Sequence, residues 1–164
     1  MALLICYDTF MNTSTAQQIL RTIQYATIAT SDEQGNPWNT PVFCAFDDDS
    51  NIYWSSHPDS VHSLNIANNH KAFIVFYSSP AGEGKGSGLY MNTDVRALEN
   101  LEEIKLALTL LGERRGKPFL HIEKYIGSGT QRIYKAIPSK CWINDTDRDE
   151  DGDFIRDYRI EIEL

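Results

Sequence analysis

Asn36-Pro37-Trp38-Asn39-Thr40-Pro41-Val42 opens the stretch that decides the fold, and Ile52-Tyr53-Trp54-Ser55-Ser56 followed by Ser60-Val61-His62-Ser63-Leu64-Asn65-Ile66-Ala67-Asn68-Asn69 completes it. Residues 38–46 are extended in character, and Asp47-Asp48-Asp49-Ser50-Asn51 is a dense run of turn formers. Residues 52–56 are then β-branched, aromatic and small, which suits a strand. Pro58-Asp59-Ser60 marks a helix start, with Val61, Leu64 and Ala67 or Asn68 following at helical spacing. A strand, a tight turn, a second strand and a short helix are thus expected in immediate succession.

Working outward, residues 26–30 are short and β-prone, and residues 32–37 are rich in turn formers, so a hairpin should join them to the strand at 38–46. Ser14-Thr15-Ala16-Gln17 matches a capping box, and Ile19, Leu20 and Ile23 predict a helix from there to about residue 25. Downstream, the apolar run 72–77 suits a strand buried on both faces, and residues 87–98 form another strand across a Gly-rich turn. Asn100 should cap a helix over 101–114, whose face is Leu101, Ile104, Leu108 and Leu111, with Gly116 and Pro118 stopping it. A further helical piece is expected over 119–126, then strands over 131–137, 140–144 and 154–164. Hairpin-linked strands without regular βαβ alternation predict a mainly β (α+β) chain, an antiparallel barrel with a few helices outside, in one domain over 1–164.

The chain has 164 residues, a length that should bury roughly 70% of its extended surface. Its longest apolar runs fall well short of the roughly 20 residues of a membrane-spanning helix. Residues 1–11 lack a basic start and a small-residue cleavage site, so a cytoplasmic protein is expected. Fifteen Lys and Arg against 23 Asp and Glu give a net charge of −8, which repels polyanions and disfavours nucleic-acid binding. Cys6, Cys44 and Cys141 form an odd, widely spaced set that suggests reduced thiols rather than a disulfide framework or zinc site.

Three stretches resemble motifs and fail on spacing. Gly82-Glu83-Gly84-Lys85-Gly86-Ser87-Gly88 lacks the Gly-Lys-Ser/Thr end and following helix of a phosphate loop, and a hairpin connection is expected. Asp147-Arg148-Asp149-Glu150-Asp151-Gly152 begins like a calcium loop but reaches Tyr158 where a bidentate Glu is required, so a solvated acidic turn is expected. His57, His62, His70 and His121 show no metal spacing. No catalytic triad or metal site is therefore assigned.

The ordered series from Asn36 to Lys71, with the Gly-rich hairpin leading into Gly88-Leu89-Tyr90, resembles the pyridoxamine 5'-phosphate oxidase-like family of FMN-binding split β-barrels. The likeness runs from about residue 19 to Gly116, and residues 134–144 resemble the barrel-closing strand. The resemblance implies a six-stranded antiparallel split barrel of Greek-key type, a homodimer, and FMN in a groove at the subunit interface. It places the strand lining the flavin at Asn39, Thr40, Val42 and Cys44, chiefly through backbone groups. The family's next pair falls on Trp54 and Ser55, and its phosphate-gripping Ser-Arg-Lys falls on Ser60, Val61 and His62. Trp142, on the last matched strand, should lie near the partner's flavin, as Trp54 should lie beside the ring.

The chain departs from that pattern in charge. The family's Arg and Lys on the second strand fall on Asn39 and Cys44, and the helix's Arg-Lys is Val61-His62. A phosphate carries about −1.5 to −2 charge and normally recruits fixed cations. What remains is a helix N-terminus, the Ser60 hydroxyl and a protonatable His62, with Lys71, Lys85 and Arg96 as unplaced cations. The resemblance implies an FMN-dependent oxidoreductase for an unassigned small molecule, with the flavin supplying the redox chemistry. The alternatives are a non-enzymatic barrel without flavin, and a barrel holding a deazaflavin or haem, the latter with His57, His62 or His70 as axial ligand.

Overall fold

Six antiparallel strands close on themselves, because the longest of them pairs with neighbours on two sides. The computed structural model describes residues 2–82 and 86–164, the first ten as backbone only. Its elements are α1 (Ala2–Thr22), β1 (Tyr25–Ser31), β2 (Pro37–Phe46), β3 (Ile52–Ser56), α2 (Val61–Asn69), β4 (Lys71–Tyr77), β5 (Gly88–Ala97), α3 (Leu101–Arg114), a single 3-10 turn (Ile122–Tyr125), β6 (Arg132–Arg148) and β7 (Phe154–Ile162). The sheet order is β3-β2-β1-β4-β5-β6-β7, and β6 also pairs with β3, which closes the barrel. The first residues of β6 face β3, its middle faces β5, and its distal half carries β7 beyond the barrel.

Alternation fills the interior. Ala26, Ile28, Val42, Cys44, Ile52, Trp54, Ile74, Phe76, Leu89, Met91, Tyr134 and Ala136 form one buried cluster, closed at one side by Ala16, Ile19 and Leu20 of α1. Burying a large side chain of this kind contributes about 1.5–3 kcal/mol. A second cluster sits under α3, where Ile104, Ala107, Leu108 and Leu111 cover Ala45, Tyr53 and Ile133 on the outside of the barrel. Asn100 caps α3 as expected, accepting from the amides of Glu102 at 2.9 Å and Glu103 at 3.2 Å.

Four expectations are corrected. α1 starts well before Ser14, so the capping-box residues lie inside the helix, and it ends at Thr22. β4 is buried on one face only, since its odd residues lie on the outside of the barrel. The helical piece at 119–126 is only the 3-10 turn Ile122–Tyr125, ended before Gly127 with its left-handed φ of +52°. The strands at 131–137 and 140–144 are one continuous β6; Pro138 fits within it at the register shift beside Asn92 and Thr93, where a missing N–H is tolerated. Cys44 and Cys141 are buried free thiols. The Cys6 side chain and Lys85 lie outside the described residues, as does the centre of the Gly-rich connection. Among the described residues no helix is long and apolar enough to cross a membrane.

Three hairpins share one turn device. Asp32, Asp47 and Asp149 each accept, through one carboxylate oxygen, the amides two and four residues ahead: Gln34 and Asn36, Asp49 and Asn51, Asp151 and Asp153. The fourth residue of each turn adopts positive φ, +83° at Gly35, +61° at Ser50 and +87° at Gly152. The calcium-like stretch is explained by this device, since Asp149 serves its own turn and Asp147 pairs with Arg156 at 2.7 Å. Ser50 is the one of the three positions with a side chain in the left-handed region. Ser50→Gly is therefore expected to stabilise the fold by about 0.5–1 kcal/mol, read as a raised midpoint in urea unfolding; an unchanged or lower midpoint would refute the strain.

Candidate functional site

The barrel is split where β2 and β3 part. They pair only through Cys44–Trp54, Ala45–Tyr53 and Phe46–Ile52, so the first half of β2 has no β3 neighbour. α2 is set against that end: Ile66 packs into the core, Asn65 donates to the Thr30 hydroxyl at 3.0 Å, and Asn69 donates to the Ser31 carbonyl at 3.2 Å. The helix ends at His70, whose left-handed backbone (φ +57°) lets its amide return to Ile66 and its carbonyl accept from Val95. These contacts hold the N-terminus of α2 beside the last residues of β3.

A cluster of hydroxyls gathers there. Ser60 occupies the N-cap but its side chain does not cap the helix. Instead its hydroxyl donates to the His57 carbonyl at 2.9 Å and lies 2.9 Å from the Ser63 hydroxyl. The Nε2 of His62 lies 2.8 Å from the Ser56 hydroxyl and 3.2 Å from that of Ser60. Ser55 donates to the Gln131 side-chain oxygen at 3.3 Å. The first-turn amides of α2, which a helix cannot satisfy internally, therefore point into a ring of serines with a partial positive charge behind them.

Of the residues singled out from the sequence, Ser55, Ser60, Val61 and His62 come together at this end. Val61 is exposed and offers only its amide. Asn39 and Thr40 lie on the unpaired half of β2, with the Thr40 hydroxyl accepting from Trp38 Nε1 at 2.8 Å. Val42 and Cys44 turn their side chains into the core, and burial pushes the Cys44 thiol up to about 12.

Three expectations change in character. Trp54 is fully buried and stacks on Tyr134, with ring centroids 5.5 Å apart, because the even positions of β3 face inward. His62 is also buried, and the loss of water lowers its pKa below the ordinary imidazole value, so the ring is neutral near pH 7 rather than a standing cation. Lys71 and Arg96 are paired with Asp94 and Glu103. Trp142 lies elsewhere, on the outer face of the sheet, where it meets Phe73 at 6.4 Å and neighbours Tyr90, itself covered by the Arg159 guanidinium at 4.1 Å.

Ser63, Gln131, Arg132 and Tyr134 were not picked out from the sequence. Ser63 carries a local signal, since it stands in the first turn of the expected helix. The other three reach the site only through the pairing of β6 with β3, which no local pattern announces.

A closed antiparallel barrel with a helix set into its split, and a hydroxyl-lined helix N-terminus at the opening, defines a split-barrel protein. The family model for pyridoxamine 5'-phosphate oxidase matches residues 13–144, and the chain belongs to that family. No curated protein sequence matches the chain significantly. Among solved structures it is similar to ChuZ of Campylobacter jejuni (15% identity, 90% of this chain and 58% of that one, TM-score 0.68). It is also similar to the haem storage protein HutZ of Vibrio cholerae (13%, 77% and 89%, 0.61). A third is a FAD-binding protein of Mesorhizobium loti (15%, 79% and 91%, 0.60). At these identities the likeness is one of fold.

Proposed function

We propose that the protein is an FMN-binding flavoprotein, an oxidoreductase acting on a small molecule as a homodimer. The observation that carries this reading is the N-terminus of α2, whose first-turn amides are left uncapped by Ser60 and are ringed by Ser56, Ser60, Ser63 and His62. That donor set suits a phosphate, which needs N–H and O–H donors around three oxygens. The flavin ring would lie against Asn39, Thr40 and the backbone of Val42 and Cys44, with Trp142 contributed by the partner copy. When bound, the flavin supplies hydride or electron transfer. The protein's part is to hold the phosphate, orient the ring and keep water from it. Family membership and a FAD-binding structural relative support the reading.

A second reading, haem, is favoured by the placement of the histidines. His57 and His70 are exposed at opposite ends of α2, open to an axial bond, and a haem storage protein is among the similar structures. Adding FMN or haemin separately to the purified protein separates the two. Quenched flavin fluorescence with saturable binding is the expected result. A Soret shift with haemin and no flavin quenching would replace the first reading by the second.

A further inference from the structure

We propose that Arg132 is the fixed cation of the phosphate site, standing in for the charged residues that β2 and α2 lack; this rests on the reading of the α2 end as a phosphate site. β3 and β6 pair in register to their last residues, Ser55 with Ile133 and Ser56 with Arg132. Residues paired across an antiparallel ladder leave the sheet on the same face. Alternation puts Ser56 and Arg132 in phase with Trp54 and Tyr134, which face the interior, so the Arg132 side chain leaves the sheet on the face from which Ser56 meets His62.

The chain has built a loop around this guanidinium. One nitrogen donates to the carbonyls of Gly129 and Gln131, both at 2.6 Å, and another to that of Gly127 at 2.7 Å. The loop demands glycine twice: Gly127 has φ +52°, and a Cβ on Gly129 would collide with the carbonyl oxygens of Glu123 and Lys124. The same loop lays Gln131 on Ser55. Three carbonyls orient the guanidinium but leave its unit charge uncancelled. Lys71, Arg96, Lys105, Lys140 and Arg156 each have a carboxylate partner, whereas among the described residues no carboxylate is paired with Arg132. Glu99 lines the same cavity of about 320 Å³ beside Leu98, Ile104, Tyr125 and Gly127 without bonding it. A cation held this way is preorganised: it needs no rearrangement to act on an incoming dianion.

The test compares FMN with riboflavin, which lacks the phosphate, in the intact protein and in Arg132→Gln and Arg132→Lys. The proposal expects Arg132→Gln to weaken FMN about tenfold while riboflavin affinity holds, and Arg132→Lys to keep most of the FMN affinity. Equal weakening of both flavins, together with a lowered melting temperature, would make Arg132 a staple of the loop and overturn the proposal. So would an unchanged preference for FMN in Arg132→Gln. If the unaltered protein binds both flavins equally, or neither, and inorganic phosphate leaves the His62 ring resonances unmoved, then the phosphate reading itself fails.

Discussion

Replacing Arg114 by methionine should lower the unfolding free energy by about 3 kcal/mol, the largest single-residue loss expected outside the barrel interior. Arg114 ends α3, yet its guanidinium reaches the C-terminal end of α1 and donates to three carbonyls there, those of Leu20, Arg21 and Ile23. A helix ends with unsatisfied carbonyls and a partial negative charge, and Arg114 answers both while its plane covers Phe46 at 5.5 Å. Bonds from a charged donor contribute about 1.5–3 kcal/mol each, and the carbonyls of Leu20 and Ile23 are partly shielded from replacement water. Methionine retains the apolar stem and removes only the charge and its bonds. Urea unfolding should show the lowered midpoint, and hydrogen exchange should show the last turn of α1 opening first. A loss under about 1 kcal/mol would mean that α1 is held by Ala16, Ile19 and Leu20 alone.

FMN affinity is expected to rise as pH falls, by up to about tenfold per unit, over the interval between the His62 pKa in the unliganded protein and that in the complex. The sign follows from burial. In the unliganded protein the pKa of His62 lies below its ordinary value, because the charged ring would be desolvated among Ser56, Ser60 and the core. A phosphate beside it reverses that preference, so binding takes up a proton. His57, Asp59, Arg132 and Tyr134 are the other ionisable groups at this end, so the assignment to His62 is decided by its own substitution. Without flavin the linkage has the opposite consequence. As pH falls through about 6.5 the unfolded chain accepts a proton that buried His62 refuses, and stability should decline by at most about 1.4 kcal/mol per unit until the folded pKa is reached. His62→Gln should flatten both profiles. A steep FMN profile that survives in His62→Gln would assign the proton elsewhere, for instance to the phosphate itself.

The barrel was legible in the sequence wherever structure is local. The turn formers at 47–51, the exact span of β3, the Ser60 helix start and the Asn100 cap all follow from spacing and residue type, and the structure keeps them. The site was legible only in part, because what a side chain faces depends on the closure of the sheet. The family pattern picks out Trp54 and His62 along the chain, and inward alternation on β3 and the packing of α2 bury both rings. Arg132 escapes local reading altogether: it becomes a neighbour of Ser56 only when β6 returns to β3, some seventy-six residues later in the chain. The early start of α1 was hidden for a simpler reason, since Ser14 and Gln17 fit a cap equally well as interior positions.

β6 is a single rod that carries Arg132 near one end and Trp142 ten positions further on. At the rise of an extended strand those positions stand about 30 Å apart, more than the length of a flavin mononucleotide. A ligand anchored by its tail beside α2 is therefore out of reach of the indole on its own polypeptide. Any complete pocket that uses both must be assembled from two molecules, each lending the opposite end of the same strand, so that occupancy would be governed by protein concentration as well as by ligand concentration.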